Sequence, residues 1–238
     1  KSDGGKLART DFGRRKGLDQ NTYGLAYNIN YTDDSWDIIG GLALQRFKAG
    51  HFGYLTYISD PELSASLLSN GRYSYYDSDA FKGDYSGFVK ATWHIYDHWD
   101  IFGDIQYRHV DYSTDGVNDK FIKRPDGTYA NQVLDIDKKY DFLNPKAGVN
   151  YSNGAHRAYI SAAISHREPE RNNFTDNGSY PAPEAERLTD LELGYQYGGK
   201  TWSAGANLYY MDYNNQFVQT GQVSESDDKY QILISCRD

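Results

Sequence analysis

From about Leu18 to about Tyr213, long stretches of the chain alternate apolar with small or polar residues, and this alternation strongly constrains the fold. The odd positions from Tyr23 to Tyr31 are aromatic or aliphatic, whereas the even positions from Gly24 to Thr32 are small or polar. Successive side chains of a β-strand point to opposite faces, so such a stretch has one apolar face and one hydrophilic face. The pattern is typical of a transmembrane β-barrel, which has lipid outside and water inside.

The alternating stretches come in pairs that are joined by very short turns and separated by long polar segments. The predicted strands cover about 19–32, 35–47, 83–96, 99–112, 140–151, 156–166, 186–197 and 201–213, with a weak ninth strand at 229–235. The first 18 residues and segments 48–82, 113–139 and 167–185 are predicted to be loops. We therefore predict an all-β fold, a long antiparallel up-and-down meander of eight or nine strands. Short turns on one side and long loops on the other are typical of periplasmic and extracellular edges.

Composition is compatible with a barrel and excludes other classes. The 238 residues have a net charge of −8 and a mean hydropathy of −0.78, and no run approaches the ~20 apolar residues of a membrane helix. The 23 Tyr and 4 Trp suit aromatic girdles at two membrane interfaces, although a soluble β-rich binding module can also be rich in Tyr. The acidic balance argues against nucleic-acid binding. A single cysteine, Cys236, excludes an internal disulfide framework.

Motifs for catalysis or metal binding are missing from the sequence. The six histidines show no metal-ligating spacing, and the calcium-loop pattern that begins at Asp111 fails at its twelfth position, Ile122. The chain also has no Gly-x-Ser-x-Gly elbow and no phosphate-binding loop. We therefore expect no enzymatic activity, no metal site and no cofactor, and we interpret the Asp111 segment as a solvated loop.

Two predicted loops carry the candidate ligand-binding residues. Aromatic faces pack against planar chelates or sugars, and arginine pairs with anionic groups. The candidates are Tyr54, Tyr57, Tyr73, Tyr75 and Tyr76 in the first loop, and His166, Arg167 and Arg171 at the third. The alternative is that these side chains only order the loops against one another and against lipid headgroups.

Several segments resemble the barrel of TonB-dependent outer-membrane receptors, in particular the iron–siderophore type of Bacteroidetes. The resemblance covers nearly all of residues 1–221. Its most specific runs are Asn-Pro-Lys-Ala-Gly (144–148), Arg-Glu-Pro-Glu-Arg (167–171) and Asn-Leu-Tyr-Tyr-Met-Asp-Tyr (207–213).

The resemblance implies a place in the outer membrane of a Gram-negative bacterium. It also implies active uptake of a scarce extracellular solute, such as an iron–siderophore complex. The barrel of such receptors has about 22 strands around a plug. We therefore expect residues 1–221 to be part of a barrel that lacks its plug domain and is not transport-competent alone. The TonB system would act on it only through that plug. We expect residues 222–238 to be an atypical tail, truncated or frameshifted.

Two alternatives remain open at this point. The polar, acidic composition also fits a soluble or surface-attached β-rich glycan-binding module, and eight strands could close into a small, complete porin-like barrel. An open barrel segment would leave two unpaired strand edges, which would favour self-association, and its apolar face would contact outer-membrane lipid.

Overall fold

The computed structural model describes residues 10–124, 126–178, 180–224 and 227–236. In that part of the chain, one antiparallel sheet joins eight strands in chain order, each paired with the next. These strands are β1 (Phe12–Thr32), β2 (Trp36–Ile58), β3 (Tyr73–Tyr96), β4 (Trp99–Lys123), β5 (Tyr129–Asn153), β6 (His156–Arg167), β7 (Glu186–Gly198) and β8 (Ser203–Asn214). The predicted all-β meander is confirmed.

Two short helices interrupt the strands. Helix α1 (Pro61–Leu67) lies between β2 and β3, and helix α2 (Arg171–Thr175) lies between β6 and β7. Asp60 caps α1, because its side chain accepts a hydrogen bond from the Leu63 N–H at 2.8 Å. Among the described residues, no helix has the length and apolar character needed to cross a membrane.

One edge of the sheet has only short turns, as the sequence predicts. The turns join β1 to β2, β3 to β4, β5 to β6 and β7 to β8. In the first turn, the Asp33 carboxylate accepts hydrogen bonds from the Ser35 and Trp36 N–H groups, both at 2.8 Å. In the third, Gly154 adopts φ 54°, a left-handed conformation that glycine takes without strain.

The strands extend well beyond the predicted ones at the opposite edge. The prediction of loops at 48–82 and 113–139 is wrong for most of their length, because β2 and β3 leave only 59–72 between them, and β4 and β5 leave only 124–128. Likewise β1 begins at Phe12, within the predicted N-terminal loop, and the segment from Asp111 to Ile122 is strand. Above the lipid both faces meet water, so polar residues occupy both sides while backbone pairing continues, as between Gly50 and Asp79. The third predicted loop, 167–185, is confirmed.

The two faces of the sheet differ in polarity. Large apolar side chains on one face are exposed although they lie in the middle of strands; Ile29 is 63 % exposed and Leu208 69 %. The opposite face carries charges on adjacent strands, for example Lys90 opposite Asp104 and Asp104 opposite Lys146. A continuous apolar outer face and a charged inner face fit lipid contact outside and a wet lumen inside. We refer to the inner face as the lumen wall.

Aromatic pairs lie next to the short turns. The rings of Trp36 and Trp93 stack with centroids 5.6 Å apart, and those of Tyr197 and Trp202 lie 4.5 Å apart. Trp99 and Tyr151 make a similar contact at 4.8 Å between centroids. Tyr and Trp are stable where one end of the ring is dry and the other wet, so these pairs mark the membrane interface on the short-turn side.

The chain beyond β8 leaves the large sheet. Strand β9 (Gln216–Ser224) pairs with β10 (Asp227–Cys236) in a separate two-stranded sheet. The predicted weak strand at 229–235 corresponds to β10, whereas β9 was not predicted. Asn215, between β8 and β9, adopts φ 57°, and this left-handed residue turns the chain away from the direction of β8.

Glycines on the lumen wall lie under aromatic rings of the neighbouring strand. Gly41 pairs with Phe88, Gly148 with Phe102, and Gly194 with Tyr159. In each pair the ring lies where a glycine Cβ would be, so it covers the backbone instead of projecting into the lumen. The rings fill the space that the glycines leave open in the curved sheet, so they lie against the lumen wall.

We expect Gly148→Ala to destabilise the barrel by about 1–3 kcal/mol through overpacking. A Cβ at this position would lie 2.6 Å from the Phe102 ring and 2.6 Å from the Ile160 carbonyl oxygen, which is backbone and cannot move freely. Gly103→Ala is the matched control, because no atom lies within 4 Å of a Cβ there. The urea midpoint of the folded, heat-modifiable band on gels measures the difference. Equal midpoints for the two variants would contradict the packing role of Gly148.

Candidate functional site

The connection between β6 and β7, residues 168–185, folds inward onto the lumen wall, and we call it the lumen loop. Its Phe174 ring stacks on Tyr112 of β4, with centroids 6.2 Å apart. Its Thr175 carbonyl oxygen accepts a hydrogen bond from Gln132 of β5 at 3.1 Å. Many of the buried residues of the described chain lie in this loop or on the strands that it contacts. They include Ser78, Val110, Thr114, Asn118, Leu134, Phe142, Glu168, Asn173 and Thr175.

Glu168 anchors the start of the lumen loop through two cations. Arg108 of β4 binds it with both terminal nitrogens, Nη1 to Oε2 at 2.7 Å and Nη2 to Oε1 at 2.9 Å. Lys82 of β3 donates to Glu168 Oε1 at 2.6 Å. The same guanidinium also donates from Nε to Asp84 Oδ1 at 3.0 Å. The network therefore joins β3, β4 and the loop, and every charged group in it has an opposite partner.

The ionic partners keep Glu168 charged despite its burial. Burial alone would raise the pKa of this carboxyl group, but the hydrogen bonds from Arg108 and Lys82 outweigh it and lower the pKa to about 2. A buried carboxylate that accepts charge-assisted hydrogen bonds from two cations is strongly held. Glu168 thus fixes the loop at any pH above the acid range.

The middle of the lumen loop has a second set of anchors. Lys120 of β4 forms an ion pair with Asp176, and Lys16 of β1 forms one with Asp119, next to Lys120 in sequence. Asn118 donates to Gln132 Oε1 at 3.0 Å. Arg171 lies between these anchors and Glu168, with Nη2 3.4 Å from Asn118 Oδ1. The lumen loop is therefore fastened to β3, β4 and β5 between Glu168 and Asp176.

The predicted tyrosine candidates lie in strands instead of a loop. Tyr54 and Tyr57 belong to β2, and Tyr73, Tyr75 and Tyr76 belong to β3. Tyr76 is buried over Gly53, and Tyr75 meets it edge-on at 5.0 Å between centroids. Tyr57 and Tyr73 are exposed, and Tyr54 receives the Arg72 guanidinium over its ring at 4.3 Å. Their role in ligand binding stays a prediction.

The candidates of the third loop are close in sequence but make separate contacts. His166 stacks on Phe142 with centroids 5.5 Å apart and approaches Asn144 Oδ1 with its Nδ1 at 3.0 Å. Arg167 pairs with Glu186 at 3.0 Å, and its guanidinium lies over the Phe217 ring. Only Arg171 belongs to the lumen loop, since His166 and Arg167 lie at the end of β6.

The sequence reasoning missed the Arg108–Glu168 network. Arg108 lies on the lumen wall and Glu168 directly follows β6, and these residues are 60 positions apart. The pairing of β3 with β4 indicates one part of this network, the contact between Arg108 and Asp84. Asp84 lies two residues before Ser86, the partner of Arg108, so the two charges are diagonal neighbours on one face.

The described residues contain no group of three or more His, Cys, Asp or Glu side chains arranged to hold a metal ion. Two depressions lie on the surface of the sheet. One, of about 580 Å³, is lined mainly by apolar residues of the lipid face, such as Ile160 and Leu193, and suits acyl chains. The other, of about 650 Å³, includes Asn150, Tyr159 and Asn207 of the lumen wall.

Comparisons with known proteins agree with this geometry. A family model described as "TonB dependent receptor-like, beta-barrel" matches residues 2–232. Among solved structures, similarity is found to the copper transporter OprC (TM-score 0.68, 13 % identity, 93 % of this chain and 34 % of that chain). The ferric yersiniabactin uptake receptor FyuA from Yersinia pestis matches with TM-score 0.55, 16 % identity and coverage of 89 % and 31 %. A search of curated proteins gives no match.

A third similar structure is the ferric citrate transporter FecA, with TM-score 0.55, 12 % identity and coverage of 95 % of this chain and 32 % of that chain. At these identities the likeness concerns the fold. The chain spans about one third of the length of these solved proteins.

We expect Glu168→Gln to loosen the lumen loop by about 2 kcal/mol, because Arg108 and Lys82 would lose a charged acceptor. Limited proteolysis within 168–185 measures this loosening, and cleavage should be faster in the variant. Glu62→Gln is the matched control, since Glu62 is an exposed carboxylate of α1, outside the lumen loop. Equal cleavage rates for Glu168→Gln and the wild type would show that the network does not hold the loop.

Docking of the lumen loop should also depend on pH in the acid range. Because the pKa of Glu168 is lowered to about 2, its stabilising contribution is complete above its ordinary value of 4.5 and is lost as pH falls from there through about 2. Protection of the loop from an acid-active protease should therefore decrease between pH 4.5 and pH 2. In Glu168→Gln this part of the pH dependence should disappear, and a profile that is unchanged in the variant would contradict the assignment.

Proposed function

The chain belongs to the TonB dependent receptor-like β-barrel family, and from that premise we propose that it forms part of the wall of a transporter for a scarce extracellular solute. Members of this family are outer-membrane proteins of Gram-negative bacteria and are transporters, not enzymes. Membership of this family argues against the alternative, a soluble glycan-binding module. An exposed apolar face on mid-strand residues such as Ile29 supports the same placement in lipid.

The observation that carries the proposal is the combination of a lipid face, a charged lumen wall and a loop folded into the lumen. A wall that is open to solute on its inner side and obstructed by a fastened loop suits selective passage better than free diffusion. In the described residues β1 pairs only with β2, and β8 only with β7. This arrangement fits a sector of a larger barrel and argues against the small, complete porin-like barrel.

The proposed solute is a metal chelate such as an iron–siderophore complex. The similar structures support this class, since they include a copper transporter, a ferric yersiniabactin uptake receptor and a ferric citrate transporter. The aromatic and arginine side chains near the lumen loop offer suitable chemistry for planar, anionic chelates. Of the candidate residues only Tyr76 is buried, and the side chains of the other seven are exposed or part-exposed. The proposed partners are this solute, outer-membrane lipid and the TonB system acting through a plug domain.

Uptake measurements on the full-length gene product test the proposal. Cells that depend on this protein should accumulate a radiolabelled ferric siderophore, and a strain without the gene should not. An uncoupler that collapses the proton-motive force should reduce uptake to the level of the deletion strain, because transport by this family is energised through TonB. A small sugar serves as the control solute. Uptake of both solutes at equal rates and without sensitivity to the uncoupler would show passive diffusion and contradict the proposal.

A further inference from the structure

Arg171 is an incompletely paired cation of the lumen loop. It is the first residue of α2 and is half-buried against β3 and β4. Its Nη2 lies 3.5 Å from Ser78 Oγ and 3.4 Å from Asn118 Oδ1, both at the long limit for a hydrogen bond. Among the described residues it forms no ion pair, unlike Arg108 and Arg167.

Three carboxylates of the lumen loop and β4 are paired with other cations, and the exposed Glu170, next to Arg171, accepts from the N–H of Asn173. Glu168 is bound by Arg108 and Lys82. Asp119 pairs with Lys16, and Asp176 pairs with Lys120. Arg171 therefore has no ion-pair partner among the described residues although it is part-buried, a position in which an unpaired charge is costly.

Two further polar atoms near Arg171 also lack partners. His51 Nδ1 and Tyr112 Oη are buried without a hydrogen bond in the described structure. His51 lies opposite Ser78 across β2 and β3, and the Tyr112 ring stacks on Phe174, three residues after Arg171 in α2. The Tyr112 ring face is occupied by Phe174, so only its hydroxyl group is free to bind a ligand. Buried polar groups without partners call for an occupant.

The groups that remain available are mainly donors. The guanidinium has only donors, the Tyr112 hydroxyl keeps its proton at neutral pH, and Ser78 can donate from Oγ while it accepts from Arg171. A planar guanidinium also matches the two oxygens of a carboxylate. A ligand that satisfies this set is an oxyanion, because it supplies acceptors and a negative charge together.

We propose that Arg171, Tyr112 and Ser78, with His51 beside them, form a binding site for a carboxylate group of the incoming solute. The statement that the carboxylate belongs to a transported solute rests on the proposed function, whereas the presence of an anion site does not. Arg171 belongs to the lumen loop, and the other three residues belong to β2, β3 and β4. A bound carboxylate therefore also fastens the loop to the wall.

Calorimetric titration of the full-length protein in detergent micelles tests the site, with citrate as the probe and inorganic phosphate as a second anion. We expect citrate to bind and Arg171→Gln to weaken binding at least tenfold. Tyr112→Phe should weaken it several-fold, and Arg171→Lys should retain part of the affinity. Arg124→Gln is the matched control, because Arg124 lies exposed in the turn between β4 and β5 and its replacement removes the same charge. Its affinity should equal that of the wild type.

Citrate should also slow proteolysis of the lumen loop in the wild type and not in Arg171→Gln. Heat-modifiable mobility on gels shows whether each variant is folded. If Arg171→Gln does not fold, the affinity of Tyr112→Phe for citrate tests the site instead. Failure of the wild type to bind either anion would overturn the site, and so would equal affinity in the wild type and both site variants. Binding that is lost in the site variants, together with an absence of energised uptake, would support the site and contradict the proposed function.

Discussion

The pairing of backbone hydrogen bonds across neighbouring strands is the constraint on which the rest of this structure depends. In hydrocarbon an unpaired N–H or C=O group costs several kcal/mol, so a lipid-facing chain that is not helical has to pair every strand with its neighbours. The meander from β1 to β8 achieves this pairing with consecutive strands. The same constraint explains the short turns, which reverse the chain with few unpaired groups, as where Asp33 accepts from two backbone N–H groups.

Because the outer face of the sheet contacts lipid, a packed interior can form only on its inner face. A single curved sheet has no second layer of its own, and its buried residues lie where the lumen loop supplies that layer. Val110 and Leu134 are almost completely buried there, whereas Ile29 and Leu208 at mid-strand are mostly exposed. The loop is held mainly by polar contacts and ion pairs, which suits an element that borders a wet lumen. The Arg108–Glu168 link is central to it, since it ties the start of the loop to two strands.

The sequence predicted what depends on periodicity and did not predict what depends on register. The alternation from Tyr23 to Tyr31 identified the lipid face, because lipid contact imposes a period of two on the side chains. Beyond the lipid, as at Gly50 and Thr114, water lies on both sides, so the period disappears while pairing continues, and strand was mistaken for loop. The Arg108–Glu168 contact joins residues 60 positions apart, and a local pattern holds no information about such a contact. The sequence did single out Arg171 as a ligand candidate, although its incomplete pairing is visible only in three dimensions.

Arg108 and Arg171 differ in their pairing, and this difference assigns a structural role to the first and a binding role to the second. Arg108 is saturated: it binds Glu168 through two nitrogens and also bonds to Asp84, so an anion would have to displace a buried carboxylate to reach it. Arg171 has only two long contacts with neutral groups and needs no such exchange. A ligand that binds only the docked form of a mobile segment stabilises that form by its own binding free energy. An anion held by Arg171 therefore adds to the fastening that Glu168 begins, and occupancy of the lumen and the position of the loop become thermodynamically linked.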